Sequence, residues 1–165
     1  MFYEINPKDI DGNAIKLIAD EWMLITAGDE SGYNMMTASW GFVGEMWNKD
    51  CVIAAIRPQR YTMDFVDKSE YFTLSFYGDR KDIHAVCGRQ SGRDVDKTAL
   101  CGLTPVFSDG SVFFEEARLV LVCKKRYKGQ LSNDGFTLGD CQELYPADDR
   151  HNMIIGEIVK AYEKR

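Results

Sequence analysis

The sequence predicts a mainly β protein folded as an antiparallel barrel with a few short helices. Three observations carry that expectation. Six or more segments either alternate apolar and polar residues or form short apolar runs of strand length. The stretches with helical spacing are short and follow no strand–helix rhythm, which argues against a parallel sheet with helical crossovers. A chain of 165 residues that is 45% hydrophobic and 12% aromatic can also build a sizeable core, burying about 70% of its unfolded surface. No linker, repeat or break in composition divides it, so residues 1–165 are read as one domain.

The elements follow in order. EWMLITA (21–27) reads as a strand that ends at the turn-forming Gly28-Asp29-Glu30-Ser31-Gly32. A second strand is expected over 35–43, then a loop over Gly44–Asp50. CVIAAI (51–56) is the short apolar run of a strand covered on both faces. Arg57-Pro58 turns the chain, and QRYTMDFVDK after it has Tyr61, Phe65 and Val66 on one helical face. EYFTLSFYG (70–78) alternates, with Phe72, Leu74 and Phe76 to one side. Residues 80–88 have helical spacing. The polar CGRQSGRD then leads to a second short helix near 95–101, with Asp94 as its cap. Asp109-Gly110 signals a hairpin with VFFEE on its far side.

A long strand is expected over 117–130, and its basic end (Lys124, Lys125, Arg126, Lys128) reads as a charged sheet edge. Residues 131–150 are acidic and irregular. MIIGEIVKAYEK closes the fold as a strand, with Gly156 at a bulge or a close approach.

Charge and motifs exclude several functions. A net charge of −6 gives no overall attraction for nucleic acid or an anionic membrane, so an anionic ligand needs a local basic cluster. No run reaches the ~18 apolar residues of a membrane helix, and MFYEINPKDI lacks a leader pattern, so a soluble, cytoplasmic protein is expected. Five scattered cysteines without C-x-x-C spacing read as reduced thiols rather than a disulfide framework or a zinc site. The phosphate-binding G-x-x-x-x-G-K-[ST], the dinucleotide G-x-G-x-x-G and the nucleophilic G-x-S-x-G are all missing. His84 and His151 are the only histidines, and neither has a nucleophile beside it in sequence.

Three stretches remain as candidate sites. Arg57, Arg60 and Thr62 surround the start of a short helix, an arrangement that can bind phosphate. The loop with Arg89, Ser91, Gly92, Arg93 and Lys97 is a polar cap or a second anion contact. NMMTASW (34–40) puts short hydroxyls between bulky apolar residues, as in a half-solvated edge or the wall of a slot for a flat ligand.

Taken in sequence, N-x-M-T-A-S-W, I-R-P-Q-R-Y-T, F-T-L-S-F, S-G-R-D-V-D-K, F-E-E-A-R-L-V-L-V-C and H-N-M-I-I-G-E-I resemble the flavin reductase-like family of FMN-binding split barrels. The match runs from about residue 20 to residue 160. It implies a Greek-key split barrel, FMN as cofactor and NADH or NADPH as electron donor. Asn34, Met36, Thr37, Ala38, Ser39 and Trp40 would line the isoalloxazine ring. Ala54, Ala55, Ile56, Arg57, Arg60 and Thr62 would hold the ribityl chain and phosphate. Ser91, Arg93 and Lys97 would approach the cofactor, and His151 would stand at the nicotinamide-side opening. Met35-Met36-Thr37 replaces the Gly-Met-Thr of reductases that serve two-component monooxygenases, which brings the chain nearer the flavoredoxin-like branch. The resemblance further implies a homodimer, a small-molecule or protein electron acceptor, and no nucleic-acid or membrane partner. A flavin-binding electron carrier without a nicotinamide site, and a barrel that binds a ligand without catalysis, are the alternatives.

Overall fold

The computed structural model describes residues 1–108 and 110–165. In chain order the strands are β1 (Phe2–Ile5), β2 (Met23–Asp29), β3 (Gly32–Ala38), β4 (Gly41–Met46), β5 (Lys49–Ile56), β6 (Tyr71–Phe76), β7 (Pro105–Ser108), β8 (Ser111–Phe114), β9 (Leu119–Gln130) and β10 (Asn152–Lys164). The helices are short: α1 (Ala14–Lys16), which continues into a wider turn over Leu17–Glu21, α2 (Tyr61–Lys68), α3 (Lys81–Arg89), α4 (Lys97–Cys101) and α5 (Cys141–Leu144). Eight strands form one antiparallel sheet in the order β3-β2-β6-β9-β10-β5-β4, with β1 added on β10. β7 and β8 pair separately, on either side of Asp109, which lies outside the described residues.

The strand order has one geometric consequence. β3 and β4 occupy opposite ends of the sheet, yet only Ser39 and Trp40 separate them in the chain. Three Cα steps reach at most about 11 Å. The sheet must therefore curl until its two ends meet, without a ladder joining them, and the result is a split barrel. The strand expected over 35–43 is thus two strands. The alternating pattern runs on through the break, but the chain changes partner, from β2 at Ala38 to β5 at Gly41.

The loop expected over Gly44–Asp50 is also strand. β4 and β5 form a two-residue hairpin in which Met46 faces Lys49 and both Trp47 (φ 57°) and Asn48 (φ 56°) are left-handed. Such a turn needs positive φ at both positions. Asparagine accepts it readily, whereas tryptophan does not advertise it.

Both faces of β2 are buried. Met23, Ile25 and Ala27 pack inside the barrel with Phe72, Leu74 and Phe76, and Leu24 packs outside with Ile83, Phe114 and Val120. Two-sided burial explains why MLITA reads as a continuous apolar run. α2 buries Thr62, Met63 and Val66, so its inner face is rotated from the expected one, and the rings of Tyr61 and Phe65 meet edge-on at its margin. Asp96, not Asp94, caps α4 by accepting from Ala99 N at 3.1 Å. The five cysteines are free thiols, and the sulfurs of Cys87 and Cys101 lie 3.9 Å apart.

β6 pairs with β9 only as far as Lys124, so among the described residues the rest of the basic run has a ladder on the β10 side alone, as expected of a sheet edge. Lys124 pairs with Glu70 and Arg126 with Glu157. Lys125 Nζ donates to the carbonyl of Asp67 at 3.0 Å and Lys128 pairs with the Asp67 carboxylate. Two of the four charges therefore tie down the end of α2, where a helix terminus favours cations.

Gly156 sits at a register shift in β10, opposite β9. A Cβ there would lie 2.6 Å from Phe72 Cζ and 2.8 Å from Cys123 Cβ. Gly156→Ala should cost about 1–3 kcal/mol through overpacking. Urea denaturation measures it, and an unchanged midpoint would refute the close approach.

Candidate functional site

The split between the sheet ends opens into three connected recesses. The middle one, a slot of about 210 Å³, is walled by Met36, Thr37, Ala38 and Ser39 from the end of β3 and by Ala55, Arg57 and His151 across from them. Ala38, Ser39 and Ala55 are small, so backbone can approach a flat ligand from both sides. The slot shares Met36 and Arg60 with a polar pocket of about 220 Å³. It shares Trp40, Ala55 and His151 with an apolar chamber of about 510 Å³.

The polar pocket is electrostatically one-sided. Arg60, Arg89 and Lys97 all line it, together with Asn34, Thr62 and Ser91, and no Asp or Glu among the described residues does. Lys97 is only 4% exposed, and its Nζ donates to the carbonyl of Met35. Burial pushes the Lys97 ammonium below its usual range, and burial likewise lowers Arg60. Lys97 is held out of water and Arg60 partly so, with no carboxylate paired to either among the described residues, which is costly unless an anion joins them.

Arg60 also precedes the first turn of α2, which has no side-chain cap. Asn34 Nδ2 donates to Thr62 Oγ1 at 2.8 Å, which leaves the Thr62 hydroxyl hydrogen to point elsewhere. Gly92 makes the floor possible: a Cβ on it would lie 2.1 Å from Asn34 Oδ1.

Thr37 is fixed from behind. Its hydroxyl lies 3.1 Å from both Nδ1 and the carbonyl oxygen of His84, on α3. One hydroxyl hydrogen cannot serve both, so donation to the carbonyl puts the imidazole proton on Nδ1 and leaves Nε2 as a buried atom without a partner among the described residues. Burial first, and Lys81 second, hold the His84 pKa down to about 4, so the ring is neutral. At the other end of the slot, His151 Nδ1 lies 2.8 Å from Tyr145 Oη and its ring 4.8 Å from that of Trp40. Burial and then Arg57 lower its pKa as well.

Of the residues singled out in the sequence, Asn34, Met36, Arg60, Thr62, Ser91 and Lys97 converge on the polar pocket. Met36, Thr37, Ala38, Ser39, Trp40, Ala55, Arg57, Arg60 and His151 converge on the slot. The others stand apart. Ala54 and Ile56 alternate away from Ala55 into the barrel interior. Arg57 lines the slot but not the polar pocket; it pairs with Asp149 and lies over the Tyr145 ring at 5.4 Å. Arg93 pairs with Asp64 at 3.0 Å and stacks on Tyr61, outside the polar pocket.

Arg89, which the sequence places in a candidate loop, lines the polar pocket. Two residues escape the sequence reading as site residues. His84 and Tyr145 carry no local signal, since their partners are 47 and 6 positions away across folded chain.

A recess lined by three cations and an uncapped helix start, running into a narrow slot between small side chains, suits a flavin mononucleotide: phosphate in the first, ring system in the second. The comparisons agree. A family model for the flavin reductase like domain matches residues 16–165, and the chain belongs to that family. Among solved structures it is similar to a flavoredoxin from Methanosarcina acetivorans (18% identity, TM-score 0.70, 88% of this chain and 69% of that one). It is also similar to an FMN-binding domain of a flavin reductase-like enzyme from Shewanella baltica (17%, TM-score 0.68, 99% and 77%). A third is the NADH:FAD oxidoreductase SgcE6 of Streptomyces globisporus (14%, TM-score 0.65, 87% and 75%). At these identities the likeness is one of fold. No curated protein matches the sequence.

The neutral His84 makes a prediction. Its folded pKa of about 4 lies below the ordinary 6.5, so the unfolded chain binds the proton more readily between those values. Stability should fall as pH drops from 6.5 towards 4. His84→Asn, which keeps a polar atom near the Nδ1 position, should flatten that part of the curve. Thermal midpoints measured across the window test it, and parallel curves would show that the ring is not held neutral.

Proposed function

We propose that the protein is an FMN-dependent oxidoreductase that takes electrons from NADH or NADPH and passes them to free flavin or another acceptor, small molecule or protein. One observation carries this reading: in a chain of net charge −6, Arg60, Arg89 and Lys97 line one pocket with no Asp or Glu among its described residues, and that pocket adjoins a slot of about 210 Å³ walled by small side chains. Bound flavin would supply the hydride and one-electron chemistry that no side chain here offers.

The residues then divide the work. Lys97, Arg60 and Arg89 neutralise the phosphate, with Thr62, Ser91 and the start of α2 as hydrogen-bond donors. Met36, Ala38 and Ala55 keep water from the ring faces. Thr37, locked by His84, and the Ser39–Trp40 backbone present polar groups to the ring edge, where charge builds up on reduction. His151, at the mouth between slot and chamber, stands where a nicotinamide would approach.

The reading includes a single domain over 1–165, a cytoplasmic protein and a homodimer without nucleic-acid or membrane partners. Met46 and Trp47, exposed at the tip of the β4–β5 hairpin, offer a second copy an apolar contact. Among the described residues, no helix is long and apolar enough to cross a membrane.

Removing one charged contact to a bound anion costs about 1.5–3 kcal/mol, roughly a 10- to 150-fold loss of affinity. Arg60→Ala should therefore weaken FMN by that factor and leave riboflavin, which has no phosphate, nearly unchanged. Equal losses for both ligands would remove Arg60 from this role. Anaerobic mixing of the FMN-loaded protein with NADH or NADPH should bleach the flavin absorbance. A bound flavin that neither donor reduces would favour the flavoredoxin-type carrier instead.

A further inference from the structure

A pair of thiols lies between the two helices that serve the site. Cys87 is in the last turn of α3 and Cys101 closes α4, with their sulfurs 3.9 Å apart. Cys87 is fully buried, whereas Cys101 is half-buried. The other thiols are placed differently. Cys51 and Cys123 are buried strand residues, and Cys141 donates to Asn133 Oδ1 at 3.0 Å.

Helical spacing connects the pair to both recesses. Cys87 follows His84 by three residues, so they share the buried face of α3, and His84 holds Thr37 at the slot. Cys101 follows Lys97 by four residues, so it shares the face of α4 that carries the buried cation of the polar pocket. The Cys87 carbonyl also accepts from Arg60 Nη2 at 3.4 Å. Between the two thiols, Arg89, Ser91, Gly92 and Lys97 all line that pocket. A covalent link would close this segment into a ring at the pocket's edge.

The two sulfurs are chemically unequal. Burial first, and Cys101 second, push the Cys87 thiol up to about 12. Burial raises Cys101 too, but the hydrogen bond donated by the Cys87 S–H acts there in the opposite sense. Cys101 is thus the sulfur that gives up its proton first and the one that solvent reaches, with Cys87 behind it. Little keeps them apart. Cys101 ends a five-residue helix and left-handed Gly102 (φ 61°) follows it, so a shift of α4 can close the remaining gap of about 1.9 Å.

We propose that Cys87 and Cys101 form a redox site, which a peroxide oxidises to a disulfide that clamps the loop over residues 88–100. The Cys101 sulfur attacks hydrogen peroxide: an S–O bond forms, the O–O bond breaks, and the departing hydroxide leaves as water with the thiol's proton. The Cys87 sulfur then displaces the second hydroxyl, forming the S–S bond and releasing another water with its own proton. Two thiols and one peroxide give one disulfide and two waters. In a cytoplasmic protein such a bond acts as a sensor, since reducing thiols reopen it. A clamped loop also lets a bound anion leave more slowly. That last effect rests on the flavin reading, whereas the disulfide does not.

Mass spectrometry of the full chain after mild treatment with hydrogen peroxide tests the site. The oxidised chain should be lighter by two hydrogens, yield peptides joined through Cys87 and Cys101, and regain both thiols with dithiothreitol. Native trypsin cleavage after Arg89 and Arg93, which lie between the thiols, should slow several-fold, as should FMN release followed by stopped-flow fluorescence. Cys101→Ser, or Cys101→Ala if the serine does not fold, should abolish these changes and leave the FMN affinity of the reduced form as it was. Unreacted thiols, a sulfinic acid on Cys101 beside a free Cys87, or a link between two chains would overturn the proposal. A Cys87–Cys101 bond that leaves tryptic cleavage or FMN release unchanged would overturn the clamp. If the bond forms, cleavage slows and FMN binds neither form, the redox site stands and the flavin reading falls.

Discussion

The structure turns on a two-residue passage. Ser39 and Trp40 carry the chain from one end of an eight-stranded sheet to the other, and a step that short forces the ends together. They meet without pairing, and the gap between them is the slot. Residues that face each other across it come from distant parts of the chain: the end of β3, the end of β5 and the start of β10. The hydrogen bond from Ala55 N to Trp40 O, 3.3 Å long, extends the β4–β5 ladder to the edge of the gap. Fold and site are consequently one feature, since any barrel closed this way has a cleft at the seam.

Electrostatics supplies the second constraint. Burying Lys97 beneath β3, with a backbone carbonyl as its acceptor, is a poor bargain for folding alone. Arg60 is in a similar position, its Nη2 reaching only the Cys87 carbonyl at 3.4 Å. Other cations at the surface found acids: Arg57 with Asp149, Arg93 with Asp64, Lys128 with Asp67. In an acidic chain such partners are plentiful. The polar pocket gathers three cations with no such partner among the described residues, and the proposed phosphate would supply the missing charge.

Much of this was legible in the sequence, and the failures have physical causes. The Met36–Trp40 wall and the Arg60/Thr62 corner are local, so their residue order carries them. β4 was mistaken for a loop because Trp47 hides a left-handed turn that asparagine or glycine would have announced. The basic run at 124–128 does reach a sheet edge beyond Lys124, but its partner acids Asp67, Glu70 and Glu157 are remote in sequence. Nothing around residue 57 reveals the pairing of Arg57 with Asp149. Tyr145 and His84 hold side chains of the site through contacts that only the folded chain creates.

The central claim is that the pocket of Arg60, Arg89 and Lys97 holds the phosphate of FMN. The ³¹P resonance of FMN mixed with the protein measures this without reference to activity. A free phosphate monoester loses its second proton near pH 6, and three close cations favour the dianion. The account predicts a bound resonance that keeps the dianion position from about pH 7 down to about pH 5. A bound phosphate that titrates near pH 6, as it does in water, would contradict the account and leave the basic pocket without its anion.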